Sequence, residues 1–314
     1  MNKSLPQFFI KKVSRIKSIG AGDRFFITMI YFVLIILFVL VLYPIIFVIS
    51  ASFSDPDMVT SGKMILWPVG FTMSGYHYVF GYKEIWTGYA NTMFYTLFGT
   101  LLSLAATLPC AYSLSRKDLT GRKFVMTLFI ITMYFGGGLI PTYLNYQSFG
   151  LINTRTIILI SGMVSAYNII VCRSFFMTTI PWELQESANI DGCGDFKTFT
   201  LIVLPLSKPI IVVIALFNAV GHWNGYFSAM IYLQNRSLYP LQLFLREILV
   251  MSQINTAVLL SATAEEVESL LRQAKTANLL KYAVIVISTI PMMIIYPWLQ
   301  NFFAKGVMIG SIKG

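Results

Sequence analysis

The stretch FFITMIYFVLIILFVLVLYPIIFVIS, residues 25–50, runs without a single charged side chain. A helix needs roughly 20 apolar residues to cross the hydrocarbon core of a bilayer. In that medium every backbone N–H and C=O must find its partner inside the protein, so a stretch of this kind can only be helix. Five further apolar blocks follow, at about 91–115, 124–145, 156–180, 209–232 and 280–303. Charged residues make up 11% of the 314-residue chain, where a soluble domain carries roughly 25%. The expectation is an all-α, polytopic membrane protein with six transmembrane helices. FGGGLIP interrupts the third block and Arg173 the fourth; the glycines are expected to allow close packing or a bend.

Charge orients these spans. Residues 1–24 contain Lys3, Lys11, Lys12, Arg15, Lys17 and Arg24. Short cytoplasmic segments are enriched in Lys and Arg, which puts the N-terminus inside and, after six crossings, the C-terminus inside as well. Arg116, Lys117, Arg122 and Lys123, between the second and third blocks, then also fall inside. The net charge of +10 therefore reads as membrane topology and not as a nucleic-acid surface. The expected organisation is a cytoplasmic segment 1–24, a six-helix membrane domain 25–303 that includes a cytoplasmic loop at 181–208, and a cytoplasmic tail 304–314. Cys110, Cys172 and Cys193 lack CxxC spacing, so neither a disulfide nor a metal site is expected.

One loop breaks the pattern. Residues 181–208 carry Glu183, Glu186, Asp191 and Asp195 against Lys197 and Lys208, on the side where positive charge is the rule. Pro181 marks a helix start, and Gly192 suits the C′ position because it adopts φ > 0 without a Cβ penalty. A second helix runs from Asp195 and ends before Pro205. This helix–glycine–helix knob, with small Ser187 and Ala188 and an acidic face, suits a basic protein partner. An amphipathic helix lying on lipid is the other reading, but such helices prefer Lys and Arg on the polar face.

The spacing Glu186-Ser187-Ala188, then Gly192, then Ile202-Val203-Leu204-Pro205 resembles the coupling-loop signature of ABC importer permeases, with Ser187 in place of the family's middle alanine. WNGYFSAMIYL at 223–233 is similar to the stretch that follows this loop in sugar and oligosaccharide permeases. KGVMIGSIKG at the C-terminus resembles the tail of the maltose-transporter permease. The resemblance implies the ABC importer permease fold and a sugar substrate of the oligosaccharide class. It implies a second homologous permease, two nucleotide-binding ATPase subunits that carry ATP and Mg²⁺, and an extracytoplasmic solute-binding protein. Glu186, Ser187, Ala188, Asp191, Gly192, Leu204 and Pro205 are then the residues coupled to the ATPase. The chain itself has no GxxxxGK[ST] phosphate loop and is not expected to be an enzyme.

A sugar site inside a membrane needs hydrogen-bonding groups and aromatic faces on a cavity. The candidates are Tyr167 and Asn168 in the fourth block, and Asn218, His222, Trp223 and Asn224 in the fifth. Asn91 and Tyr95 share a helix face near the start of the second. Interhelical hydrogen bonding is the plainer role for each. An importer of peptides or amino acids would share the coupling loop. An ion-coupled transporter usually places a carboxylate within its spans, and these six blocks contain none.

Overall fold

The computed structural model of the chain describes residues 20–252 and 264–310, and no strand occurs among them. The basic residues 3–17, a possible capping box from Thr263 to Glu266 and the last four residues of the tail therefore lie wholly or partly outside the described residues. Two compact units are present, one ending at Met73 and one starting at Ser74.

The first unit is built on α1, Ala21–Ser52, followed by the short α2, Pro56–Thr60. At 1.5 Å per residue α1 is about 48 Å long, more than the roughly 30 Å of hydrocarbon it has to cross. Its apolar side chains from Phe25 to Val41 are exposed apart from half-buried Ile27. Asp55 caps α2 by accepting from the Asp57 N–H at 2.8 Å, and the chain then doubles back, with Thr72 N–H donating to Phe53 C=O.

The second unit is organised around α4, Lys83–Ser115, which follows α3, Ser74–Gly81. The second apolar block thus begins eight residues earlier than its hydropathy indicates, because Lys83 and Glu84 extend the helix beyond the apolar layer. Next come α5 (Arg122–Tyr134) with α6 (Leu139–Ser148), and α7 (Arg155–Ile160) with α8 (Ala166–Thr179). The acidic loop forms α9 (Trp182–Ile190) and α10 (Asp195–Leu206). Then α11 (Lys208–Asn224), α12 (Phe227–Tyr232), α13 (Leu241–Met251) and the long α14 (Ala264–Gly310) complete the unit. Here α4 packs against α11, α8, α13 and α7. Its buried face repeats every three or four residues and is rich in small or hydroxyl side chains: Gly88, Thr92, Gly99, Ser103, Thr107 and Ala111. Small residues let membrane helices come close. A Cβ built on Gly99 falls 2.5 Å from the His222 ring.

Among the described residues three helices are long and apolar enough to cross a membrane: α1, α4 and α14. Two bent pairs meet the same length and composition test when taken together, α5 with α6 at 116° and α10 with α11 at 84°. The third block is broken at residues 135–138, where Gly138 has φ 84°. The fourth is broken at residues 161–165, where Gly162 has φ 82°. The fifth is broken at Gly225 and Tyr226, between α11 and α12. Gly-containing breaks interrupt the i→i−4 ladder without a Cβ penalty, while the surrounding composition stays apolar, so hydropathy alone does not register them. The sixth block extends back to Ala264 without interruption, and Arg272 donates to Glu268 one turn earlier at 2.6 Å. At its other end α14 carries the helix through Gly310, into the segment expected as a separate tail.

Gly99→Val is expected to force the α4–α11 contact apart and to cost about 1–3 kcal/mol of stability, the usual range for overpacking. Thermal melting of the purified protein checks this against Gly136→Ala, a site with nothing within 4 Å of the added Cβ.

Candidate functional site: a coupling knob and a cavity between broken spans

The knob is held by its own backbone chemistry. Gly192, at φ +76°, is the C′ residue of α9. Its N–H donates to Asn189 C=O at 3.1 Å, and Cys193 N–H donates to Ala188 C=O at 2.9 Å. This is the two-bond Schellman closure, which requires the left-handed conformation that glycine supplies. Gln185 and Ala188 face inward, while Glu186, Ser187 and Asp191 are exposed. Trp182 Nε1–H donates to Glu186 Oε1 at 2.7 Å, and Lys117 Nζ stands 5.6 Å over the Trp182 ring. Ser187 Oγ donates to Glu183 C=O, an ordinary intrahelical bond. The apolar side chains of Ile190 and Phe196 are exposed on the same knob.

The second helix does not stop before Pro205. Residues Phe199–Val203 form a π turn, and the helical path continues to Leu206. In an α-helix the Pro205 ring would meet the carbonyl of Leu201, four residues back. The wider turn relieves that clash. Leu204 is half-buried and Pro205 exposed. The chain then bends by 84° into α11.

A contact that the sequence reading did not anticipate anchors the knob. The Arg116 guanidinium donates to both oxygens of Asp118 and to Asp195 Oδ1, and its side chain is 13% exposed. Arg122 Nη1 donates to Arg116 C=O at 2.9 Å, and Arg173 Nε to Leu114 C=O at 2.9 Å. Three arginines thus gather at the end of α4, and one of them reaches the first residue of α10. Arg116, with Asp195, Phe196 and Phe199, borders a cleft of 520 Å³. The Asp118 carboxyl is held below the ordinary carboxylate range by Arg116. That pair is intact at neutral pH and is lost only as pH falls through the lowered value. The sequence signal was present, since four basic residues and an acidic loop fall on one side of the membrane. Arg116 and Lys117, however, read only as topology charges.

The residues expected to meet a sugar divide into groups. Asn218 and His222, one turn apart on α11, line a 240 Å³ cavity with Ser161, Gly162, Gly225 and Ser228. That cavity lies between two of the helix breaks. Asn218 Nδ2 donates to Ile214 C=O at 2.9 Å, which leaves its Oδ1 as an acceptor. Trp223 and Asn224 border a different cavity of 270 Å³ with Gln242, Ser288, Thr289 and Tyr296. Successive helix positions differ by about 100°, and this separates His222 from Trp223. Trp223 is 4% exposed, its Nε1–H donates to Ser288 C=O at 2.9 Å, and its ring meets Tyr89 edge-on at 5.7 Å. Tyr167 is exposed and Asn168 buried, and neither borders these two cavities. Asn91 and Tyr95 are both engaged in holding residues 237–239: Asn91 Nδ2 donates to Ser237 C=O and Tyr95 Oη to Leu238 C=O, each at 2.8 Å.

Irregular backbone at membrane depth is tolerated only where protein covers it or water fills a cavity beside it. A helix–glycine–helix knob joined to long apolar helices, with cavities at the breaks between them, places the chain among membrane transport subunits. The chain belongs to the binding-protein-dependent transport system inner membrane component family, whose model matches residues 85–309. It is 39% identical to the polygalacturonan/rhamnogalacturonan transport system permease protein YtcP of Bacillus subtilis, over 93% of this chain and 99% of that one. It is 37% identical to Protein LplC of the same organism, over 87% of this chain and 90% of that one. Among solved structures it resembles a chain of a bacterial ABC transporter involved in the import of the acidic polysaccharide alginate. The TM-score there is 0.80 at 36% identity, covering 91% of this chain and 99% of that one.

Asp195→Lys sets a cation beside Arg116 and is expected to raise the ATP consumed per solute transported several-fold, with Asp195→Asn weaker. Asp195 is mostly exposed, and exposed pairs contribute about 0–1 kcal/mol, so melting temperature is expected to change little. An unchanged ATP-to-solute ratio in reconstituted vesicles would count against the anchoring role.

Proposed function

We propose that this chain is one of two membrane-spanning subunits of an ATP-driven importer for acidic oligosaccharides. Its chain-long similarity to a polygalacturonan/rhamnogalacturonan permease carries this reading, and the likeness to an alginate importer supports it. The protein resides in the bacterial cytoplasmic membrane. It crosses six times, counting the broken spans, with both termini on the side of the knob. Its membrane domain takes in 25–303, and the end of α14 enters the space between the partner subunits. ATP and Mg²⁺ bind the two partner ATPase subunits, and an external binding protein delivers the sugar.

In this mechanism α9 sits in a cleft on one ATPase subunit, with Glu186 meeting a basic group. Closure of the ATPase pair displaces α9, and Gly192 and the Arg116–Asp195 contact carry the displacement into α4 and α11. The broken spans then reshape the cavity that holds Asn218 and His222. An amide carbonyl and an imidazole suit sugar hydroxyls, and a neutral hydrogen bond contributes about 0.5–1.5 kcal/mol net. Trp223 and Asn224 contact sugar from the second cavity, and Tyr167 and Asn168 support the helix packing around it.

The test is reconstitution of the complete transporter with its binding protein. Short oligogalacturonates are expected to stimulate ATP hydrolysis and to accumulate, whereas neutral oligosaccharides of equal length are not. Glu186→Lys is expected to abolish stimulated uptake while the subunit still reaches the membrane. Glu186→Gln, which keeps an acceptor for Trp182, is expected to retain part of it. Normal uptake by the Lys variant would refute the docking role.

A further inference from the structure

Among the described residues between α12 and α14, one arginine has no carboxylate partner. Arg236 is bridged by Glu84 and Glu247, each at 3.0 Å, and Arg272 by Glu268 at 2.6 Å. Arg246, on α13, makes no ion pair among the described residues. Its guanidinium lies over the Tyr226 ring, 5.8 Å from the centroid, and it is half-buried. Tyr226 occupies the break between α11 and α12. Asn224, Gly225, Tyr226 and Phe227 are all exposed there, in a span where open backbone requires a watery or protein-covered surface. One turn before Arg246 on α13 is Gln242, which borders the 270 Å³ cavity together with Asn224. A phenol ring, two amides and a guanidinium with no ion pair therefore lie at or next to a single break, Gly225 and Tyr226.

We propose that Arg246, stacked on Tyr226, reads the carboxylate of a uronic acid residue as the oligosaccharide passes the break in the fifth span. This rests on the acidic-oligosaccharide reading above. A guanidinium presents two parallel N–H donors that match a carboxylate, and stacking on a ring leaves the edge donors free. The aromatic face holds the cation without neutralising it. Arg236 and Arg272 are already satisfied by acids of this chain. A neutral sugar gains nothing from such a group, whereas a charge-assisted bond is about twice as strong as a neutral one.

The experiment measures uptake of trigalacturonate and of its fully methyl-esterified, uncharged form by the complete reconstituted transporter. The ratio of the two rates is read for each variant, which removes differences in folding or assembly. Arg246→Gln is expected to lower the acid-to-ester ratio about tenfold, and Arg246→Lys, a charge without the fork, by less. Tyr226→Phe keeps the ring and is expected to preserve the ratio, while Tyr226→Ala lowers it. An Arg246→Gln ratio equal to that of the unsubstituted protein overturns the assignment of Arg246 and leaves the acidic-substrate reading standing. Failure of the unsubstituted transporter to take up trigalacturonate overturns both.

Discussion

In hydrocarbon an unpaired peptide group costs several kcal/mol, and the arrangement of this protein follows from where it keeps that rule and where it departs from it. The unbroken helices α1, α4 and α14 pair most of their own backbone across the apolar depth, with Pro44, Pro109, Pro291 and Pro297 each removing one i→i−4 bond. The breaks at 135–138, 161–165 and 225–226 leave peptide groups that need another partner. Such sites can exist only beside water or where other protein covers them. The polar groups of α11 collect beside two of them.

Support for the broken spans comes from α4. Its small-residue face lets α11 lie close enough for His222 to rest on Gly99, and its end is where Arg116, Arg122 and Arg173 gather. One rigid helix thus touches the wall of the cavity along its length and the foot of the knob at its end. A displacement of α9 need not travel through soft loops to reach the spans, because the carboxylate of Asp195 is tied directly to the residue that ends α4.

Much of this was legible in the sequence, and the physical reason is uneven. Apolar blocks are visible because lipid demands them. The knob was visible because a glycine at C′, an N-terminal proline and misplaced acids are local signals, and Gly192 occupies its expected role in the backbone. Helix breaks were less visible, since Gly162 and Gly225 interrupt hydrogen bonding without making the window polar. Asn218 and His222 were paired correctly by their spacing, while Trp223 and Asn224 turn toward another cavity because adjacent helix positions diverge. Arg116 was hidden for a different reason: its partner Asp195 is distant in the chain, and no local pattern announces a contact of that kind.

The π turn at Phe199–Val203 has a geometric meaning of its own. Such a turn holds one residue more than an α-helical turn, and one residue of an α-helix corresponds to about 100° of rotation and 1.5 Å of rise. The azimuth at which the knob projects from the fifth span is therefore encoded by a single inserted residue. Loss of one residue here would let the helix close regularly, and the acidic face of α9 would swing by about a quarter of a circle relative to the solute path. Partner geometry is in this way written into the chain as a phase, and a one-residue insertion or deletion is enough to reset it.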